Sequence, residues 1–294
     1  MFERALVSGA GGFVGSALVA HLEVSQSRLR LGAPDWMEQL ESTDFSGATV
    51  FHLAARVHAD DDDDPAFLRD NVHKTLEFAR AARRGGARRF VFLSSVKVNG
   101  EESPGRPFVR SDPPQPQDAY ARSKQQAEAA LATVDGLDWV VVRSPLVYGA
   151  NVKGNLLSLL RLADSPWPLP FGALENRRSF VHVDDLARLL IDCATHAQAV
   201  GRIYYAAHAA SVSTRELVSA MRAKLERPSR LVSVSPGALE GVATIAGLRS
   251  RMQRLTRSLE VDAADAEREL GWTAQIGFAN ALEDMVGAYR QSVA

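Results

Sequence analysis

Tyr120 and Lys124 stand four positions apart, a spacing that places a phenol and an ammonium group on one face of a helix. A cation beside a phenol stabilises the phenolate, so the spacing predicts that Lys124 lowers the pKa of Tyr120 from about 10 towards neutrality. Such a tyrosine acts as a general base towards a hydroxyl group, or as an acid in the reverse step. Taken alone, the pair is more typical of an exposed helix surface.

Three glycines, Gly9, Gly12 and Gly15, lie between the strand-like run Arg4 to Val7 and the helix-like run Val14 to Leu22. Glycine permits a tight turn and lets the backbone approach a pyrophosphate, whose charge is stabilised by a helix N-terminus. The pattern therefore predicts a dinucleotide-binding turn, and the alternative is an ordinary turn.

Ser94 and Ser95 end the apolar run Arg89 to Leu93. A hydroxyl group at the end of a strand is placed to hydrogen-bond a reacting oxygen. The simpler interpretation is a serine-rich strand end.

These residues need a scaffold, and the first half of the chain alternates short apolar runs with amphipathic ones. Uniformly apolar strands that alternate with helices indicate a parallel sheet covered on both faces. We therefore predict an α/β fold: a doubly wound, Rossmann-type parallel sheet over residues 1–150 and a smaller mixed substrate lobe over 151–294. Residues 180–196 are a candidate for return to the first domain. The expected strands are Arg4 to Val7, Thr49 to Leu53, Arg89 to Leu93, Trp139 to Arg143 and Arg202 to Ala206, and the expected helices are Val14 to Leu22, Ala66 to Arg84, Asp118 to Val134, Asp184 to His196, Ser213 to Leu225 and Ala263 to Leu270.

The bulk composition narrows the function classes. The chain has 294 residues and a formal net charge of −1, which gives no electrostatic reason to expect nucleic acid or an anionic membrane as a partner. Its single cysteine, Cys193, excludes an intrachain disulfide and fits a reducing compartment. Cys193 lies in an apolar helical run and is interpreted as an inert core residue. We see neither a signal peptide nor a membrane span and expect a cytoplasmic protein.

Metal binding is not expected. None of the seven histidines has zinc-ligand spacing with cysteine. The run Asp60 to Asp64 is interpreted as a solvated loop, because adjacent like charges repel one another.

The three motifs and several further segments occur in a fixed order along the chain. The set resembles the extended short-chain dehydrogenase/reductase family of nucleotide-sugar epimerases, dehydratases and ketoreductases. The further segments cover nearly the whole chain: His52-Leu53-Ala54-Ala55, Asp70-Asn71-Val72, Arg143-Ser144-Pro145-Leu146-Val147-Tyr148-Gly149, Arg178 to Asp185 and Glu269-Leu270-Gly271-Trp272. Ser94 to Glu101 and Lys153-Gly154-Asn155 look most like bacterial surface-polysaccharide enzymes that act on UDP-N-acetyl sugars.

The resemblance implies roles for individual residues. Tyr120 would be the catalytic acid/base, Lys124 would bind the nicotinamide ribose and Ser95 would contact substrate. The implied cofactor-binding residues are Gly9, Gly12, Phe13, Val14, Gly15, Leu53, Ala54, Ala55, Asn71, Ser94, Tyr120, Lys124, Pro145 and Leu146, and the implied substrate-binding residues are Ser95, Lys97, Asn155 and Arg178. An arginine suits the diphosphate because its donors form a planar fork.

The chain departs from the family in two places. Val96 and Lys97 stand where the dehydratases carry an Asp-Glu pair, so a 4,6-dehydratase is not expected. Only 43 positions separate Gly9 from His52, and no clear acidic residue ends a second strand to bind the adenosine ribose. Asp35 is interpreted as a helix cap. Arg28 and Arg30 fit either a 2′-phosphate or an exposed strand, so NAD is expected and NADP stays open.

The resemblance implies a nicotinamide-dependent 4-epimerase of a UDP-sugar, in surface polysaccharide biosynthesis. The alternatives are a UDP-4-keto-6-deoxy-sugar 4-reductase and a non-catalytic nucleotide-binding or sensing module of the same fold. The family also suggests a homodimer formed through Ala66 to Arg84 and Tyr120 to Val134, with Ala121, Gln125, Glu128, Ala129 and Ala132 on the contact face.

Overall fold

A six-stranded parallel sheet forms the centre of the computed structural model, which describes residues 2–57 and 64–293. Its strands are β1 (Arg4–Ser8), β2 (Ser25–Leu29), β3 (Thr49–His52), β4 (Arg89–Ser95), β5 (Trp139–Ser144) and β8 (Arg202–Tyr205), and a separate two-stranded parallel sheet contains β6 (Leu146–Tyr148) and β7 (Phe180–His182).

The helices that the structure describes lie between these strands as far as β8, and α8 to α12 follow β8. They are α1 (Phe13–His21), α2 (Trp36–Ser42), α3 (Asp64–Phe67), α4 (Lys74–Arg84), α5 (Ala119–Ala132), α6 (Gly154–Ala163), α7 (Val183–Thr195), α8 (Thr214–Lys224), α9 (Pro236–Ile245), α10 (Arg249–Thr256), α11 (Ala264–Leu270) and α12 (Phe278–Val293). Short 3₁₀ turns cover Val96–Val98 and Ala197–Ala199.

The strand order in the sheet is β2-β1-β3-β4-β5-β8, so the chain changes direction across the sheet between β1 and β3. In doubly wound folds a ligand binds at this point, outside the carboxyl ends of the strands. The glycine turn follows β1 and the segment Leu53–Ala55 follows β3, so both lie where the topology predicts a ligand. This order confirms the expected fold class.

The two faces of the sheet are buried under different helices. One core joins the sheet to α1 and α7, through Val7, Val91, Leu18 and Leu189. The other core joins it to α2, α4 and α5, and its aromatic residues include Phe78 and Phe90. Both faces of the central strands β1, β3, β4 and β5 are therefore apolar, as the sequence pattern indicates.

A third core lies away from the large sheet, around Tyr148, Leu160, Val218 and Met285, which belong to β6, α6, α8 and α12. After β7 the chain packs again on the large sheet: α7 lies against α1, and β8 pairs with β5. The division at residue 150, with the 180–196 segment returning, stays a proposal about domain organisation, and in this geometry the return extends through β8.

Several expectations of local structure are corrected. The expected helix Ala66 to Arg84 contains a wider π-helical turn over Leu68–His73. Asp35 precedes α2 as expected, but its side chain caps no backbone N–H and instead accepts from Gln39 Nε2 at 2.9 Å. Of the acidic run, only Asp64 is described, in α3, so the loop interpretation of Asp60 to Asp63 lies outside the described residues.

Cys193 is fully buried in the α7 core, and burial raises the pKa of its thiol, as expected for an inert core residue. Within residues 2–57 and 64–293, no helix is long and apolar enough to cross a membrane.

Candidate active site

The glycine turn packs so closely that two of its glycines admit no side chain. Gly9 has φ +77°, and a Cβ added there would lie 2.7 Å from the backbone nitrogen of Ala54. A Cβ on Gly15 would lie 2.0 Å from the Gly9 carbonyl oxygen. Gly12 is the residue before α1, and its N–H donates to the Gly9 carbonyl at 2.9 Å. The first N–H groups of α1 thus stand beside the edge of the sheet, in the geometry that binds a pyrophosphate.

A cavity of about 670 Å³ opens beside this turn, at the carboxyl ends of β2 and β3. It is lined by Leu31, Gly32, His52, Ala54, Ala55, Arg56, Val57, Arg69, Asp70 and Lys74. Ala54 and Ala55 were expected there, whereas the cationic residues and Leu31 were missed, because no motif marks them. In a doubly wound fold, the crevice at the carboxyl ends of the strands is where a dinucleotide is expected to bind.

Asn71 holds the wall of this cavity. Its Oδ1 accepts from the Arg56 N–H at 2.7 Å, and its Nδ2 donates to the Arg56 carbonyl at 2.9 Å and to Ser123 Oγ at 2.9 Å. Asn71 lies in the π-helical turn, and its side chain lies between the loop that follows β3 and the helix α5. Asn71 thus ties the backbone of Arg56, in the cavity wall, to Ser123 of α5, and its role in the cofactor site stays a prediction.

His52, at the end of β3, anchors the same wall through a directed chain of hydrogen bonds. Thr75 Oγ1 donates to the Asn71 carbonyl at 2.6 Å, so it accepts from His52 Nε2 at 2.8 Å. Nδ1 of His52 is then unprotonated and accepts from Ser8 Oγ at 2.6 Å. Burial lowers the pKa of His52 to about 3, and the ring stays neutral.

The expected catalytic residues meet at the end of β4. Tyr120 lies in the first turn of α5, and the Ser95 hydroxyl lies close enough to its phenol to lower its pKa. Lys124 is 2% exposed, and its Nζ donates to the Leu93 carbonyl at 2.7 Å and lies 4.2 Å from the centre of the Phe92 ring. Asp118 begins α5 by accepting from the Ala121 N–H at 2.7 Å. This capping bond fixes the start of α5 two residues before Tyr120.

The direction of the Tyr120 pKa differs from the sequence-based expectation. Burial, and then the negative charge of Asp118, raise the pKa of Tyr120 to about 12, while the Ser95 hydroxyl acts in the opposite direction. Burial lowers the pKa of Lys124 to about 7. Lys124 Nζ donates to the Leu93 carbonyl. The cost of burying the two charged groups therefore outweighs the expected effect of Lys124 on the pKa of Tyr120.

Ser94 has a different partner from the one that the resemblance implies. It is 2% exposed, and its Oγ donates to Glu128 Oε1 at 2.5 Å. Glu128 forms a two-point ion pair with Arg143, at 2.6 Å and 3.1 Å, and Arg143 donates to Asn99 Oδ1 at 3.0 Å. The Ser94 hydroxyl thus helps to fix α5 to β4 and β5, and a cofactor contact of Ser94 remains a prediction.

Three of the four expected substrate residues, Lys97, Asn155 and Arg178, line one cavity of about 90 Å³ together with Leu146. Arg178 is 7% exposed, donates through Nη1 to the Arg257 carbonyl at 3.0 Å, and has a buried Nε without a hydrogen-bond partner among the described residues. Burial lowers the pKa of Arg178 to about 10, and the group stays protonated at neutral pH. Such a cation suits a phosphate group.

Sequence reasoning missed Arg254, which lines the same cavity from α10. Ser95, the fourth expected residue, lies outside its wall but borders it through Lys97, whose N–H donates to Ser95 Oγ at 3.3 Å.

Three further expected cofactor residues follow the carboxyl ends of β1 and β5. Pro145 separates β5 from β6. Phe13 packs against the Tyr148 core, whereas Val14 packs against the sheet core. Across the described ranges, no group of three His, Cys, Asp or Glu side chains could hold a metal ion.

Comparisons with known proteins identify relatives of this arrangement. The model of the NAD dependent epimerase/dehydratase family matches residues 5–207. The chain is 33% identical to a UDP-glucose 4-epimerase of Vibrio cholerae over 308 aligned positions, which cover 95% of this chain and 94% of that protein.

Two solved structures share the fold. The UDP-glucose 4-epimerase of Thermotoga maritima, solved with UDP-glucose, has a TM-score of 0.79 and 19% identity, over 99% of this chain and 100% of that one. RMD from Pseudomonas aeruginosa, complexed with NADPH, has a TM-score of 0.79 and 21% identity, over 99% of each chain. The family match, which spans the glycine turn, Ser95, Tyr120 and Lys124, establishes that this chain is an enzyme of the NAD-dependent epimerase/dehydratase family, with a nicotinamide dinucleotide as its cofactor.

Proposed function

We propose that the enzyme is a 4-epimerase of a UDP-sugar. The observation that carries this proposal is the placement of Tyr120 and Ser95 beside a cavity whose wall holds the buried, incompletely paired Arg178. The relative from Vibrio cholerae, described as a UDP-glucose 4-epimerase, supports the same reaction. A role in surface polysaccharide biosynthesis belongs to the proposal. It rests on the resemblance of the segment 94–101 to bacterial surface-polysaccharide enzymes.

The residues that the structure brings together divide the work between two ends of the substrate. Arg178 and Arg254 would hold the diphosphate, and Asn155 lies at the same wall. Lys97 marks the end of the cavity next to Ser95, so a sugar attached to that diphosphate would extend towards Tyr120.

At the reacting carbon the protein handles the proton. A bound nicotinamide dinucleotide supplies hydride transfer to and from C4. Tyr120 Oη takes the proton of the 4-hydroxyl group and returns it, and Ser95 Oγ holds the same oxygen through a hydrogen bond. Lys124 lies one turn beyond Tyr120 and would bind the cofactor ribose, the role that the resemblance gives it. No carboxyl group stands at positions 96 and 97, so the elimination of water lacks the Asp-Glu pair of the dehydratases.

A 4-ketoreductase is the second candidate, and the end of β2 favours it. Leu29 lies opposite Ser8 as the last residue of β2, and the next residue is Arg30 instead of an acid. Among the described residues that line the neighbouring cavity, Asp70 is the only carboxylate, and it is paired with Arg56 and Lys74. An arginine near this point accommodates the 2′-phosphate of NADP, the cofactor of a typical reductase.

Replacing Tyr120 with phenylalanine tests the proposed function. The variant keeps the ring but loses the proton relay, and we expect kcat with UDP-sugars to fall on the order of 10²-fold or more. Interconversion of UDP-glucose and UDP-galactose, and of their N-acetyl forms, is measured with NAD⁺ and with NADP⁺. Net oxidation of NADPH by 4-keto sugars would establish the reductase instead.

The matched control is Tyr289→Phe, a tyrosine in α12 whose hydroxyl donates to Asp164 Oδ2 far along the chain from the proposed site. It should retain turnover. Full turnover by the Tyr120 variant would contradict the assignment of Tyr120.

A further inference from the structure

Four charged side chains form a cluster at the wall of the cavity that contains Arg178. Lys97 Nζ lies 2.6 Å from Glu101 Oε1 and 2.5 Å from Asp118 Oδ2. Arg254 lies 4.0 Å from the same two carboxylates. Lys97, Glu101 and Arg254 also line the cavity. The cluster therefore belongs to the site, although the mechanism above assigns no chemistry to Glu101 or Asp118.

Asp118 connects this cluster to the catalytic helix. One carboxylate oxygen, Oδ1, accepts from the Ala121 N–H at 2.7 Å and so fixes the first turn of α5. The other oxygen, Oδ2, accepts from Lys97. Asp118 is two residues before Tyr120, and its negative charge is felt by the phenol. A negative charge there opposes the phenolate that a general base must form.

The groups around the phenol are few among the described residues. Tyr120 meets the Ser95 hydroxyl at the end of β4, the charge of Asp118 on its own helix and the ring of Phe67 from α3, 6.4 Å between ring centres. Lys124 is bonded to the Leu93 carbonyl one turn further on. Asp118 is the anion whose charge acts on the phenol, and the cations that offset it are Lys97 and, less closely, Arg254.

We propose that Lys97 and Asp118 are positioning residues, an ion pair that sets the pH at which Tyr120 exchanges its proton. This role rests on the proposed function of Tyr120. Lys97 holds Asp118 as the cap of α5 and offsets the charge that would otherwise hold the proton on the phenol. Through its backbone N–H the same residue also orients the Ser95 hydroxyl, at 3.3 Å.

The test measures the titration of Tyr120 directly. 3,5-Difluorotyrosine is incorporated at position 120 of the full chain, saturated with NAD⁺, and its ¹⁹F resonance is followed against pH; fluorination brings the phenol titration into a range that the fold tolerates. Asp118→Asn keeps the helix cap, because asparagine and aspartate cap equally well, but removes the charge. We expect its titration to move down by on the order of one pH unit.

The lysine variants give the opposite sign. Lys97→Met removes the closer of the two cations at Asp118 and should move the titration up by a similar amount, whereas Lys97→Arg should restore it. In the Asp118→Asn background the Lys97→Met shift should be much smaller. The matched control is Asp112→Asn, a carboxylate that pairs with Arg106 away from Tyr120 and should leave the titration unchanged.

Shifts in these directions support the ion pair, and unchanged titrations in both Asp118→Asn and Lys97→Met overturn it. If Lys97→Met fails to fold, Asp118→Asn still decides. Because the resonance is read without turnover, a chain that shows the shifts yet epimerises no UDP-sugar refutes the proposed function and leaves the ion pair intact.

Discussion

At the scale of the residue, the site is built from groups whose proton affinities are set by burial. His52 is neutral because its Nδ1 and Nε2 are both bonded inside the protein, to Ser8 and Thr75, and solvent does not stabilise its charged form. Tyr120 and Lys124 are both held towards their uncharged forms for the same physical reason.

His52 makes the fold sensitive to acid. Its pKa is about 3 in the folded chain and about 6.5 in an unfolded one, so the unfolded chain binds the proton more readily between these values. The folded state therefore loses stability as the pH falls from about 6.5 to about 3. Compared with His52→Gln, the wild-type free energy of unfolding should fall by about 1.4 kcal/mol more for each pH unit in this window.

Urea denaturation at several pH values between 4 and 7.5, followed by circular dichroism, measures this difference. His73→Gln, at the end of the π-helical turn, is the control. Parallel pH dependence of the wild type and the His52 variant would contradict the neutral, buried ring.

At the scale of the element, α5 carries Tyr120 and Lys124, and hydrogen bonds from other parts of the chain fix its position. Asp118 caps its start, Asn71 reaches it through Ser123, and Glu128 ties its last turns to Arg143 of β5. Because Glu128 and Arg143 are 7% and 3% exposed, they are a buried ion pair that water does not screen.

Breaking this pair should destabilise the fold. Glu128→Gln leaves the charge of Arg143 buried and uncompensated, and we expect the free energy of unfolding to fall by about 3 kcal/mol. The same change at Glu77, whose ion pair with Arg80 is on the surface of α4, should cost less than about 1 kcal/mol. Equal losses of unfolding free energy in the two variants, measured by urea denaturation, would show that the buried ion pair does not stabilise the packing of α5.

Much of this architecture is predictable from the sequence, because apolar periodicity and glycine spacing are local. The strands β1, β3, β4 and β5 and the glycine turn lie where the pattern puts them. What the sequence could not supply depends on neighbours distant in the chain: the π-helical turn at Asn71, the Glu128 partner of Ser94 and the direction of the Tyr120 pKa. Each is decided by tertiary burial, and no local spacing reports it.

At the scale of the whole molecule, the homodimer stays a proposal, and the contact face must be redrawn. Ala121 and Glu128 are buried within the chain, so neither is free to meet a partner. Ala129 and Ala132 are exposed on α5, and the same helix borders a surface cavity of about 330 Å³ shared with Phe67 and the half-exposed Leu68.

Ala129→Glu combined with Ala132→Glu tests the interface. If α5 packs against its symmetry mate, buried like charges should split the dimer, and light scattering at micromolar concentration should report a monomer. Glutamates at Ala238 and Ala279, exposed on α9 and α12, are the control. A wild-type chain that already scatters as a monomer would rule the dimer out.

The strand β2 lies within the short interval between Gly9 and His52 and forms one border of the sheet. Within residues 2–57 and 64–293, β2 has a neighbouring strand on one side only, so one row of its backbone amides and carbonyls is open to pairing with an extended chain, including another copy of this protein. The residues of β2, Ser25-Gln26-Ser27-Arg28-Leu29, are polar except the last. A charged, poorly hydrophobic border discourages such stacking, so the composition that makes β2 hard to recognise as a strand also keeps the folded protein from aggregating through it.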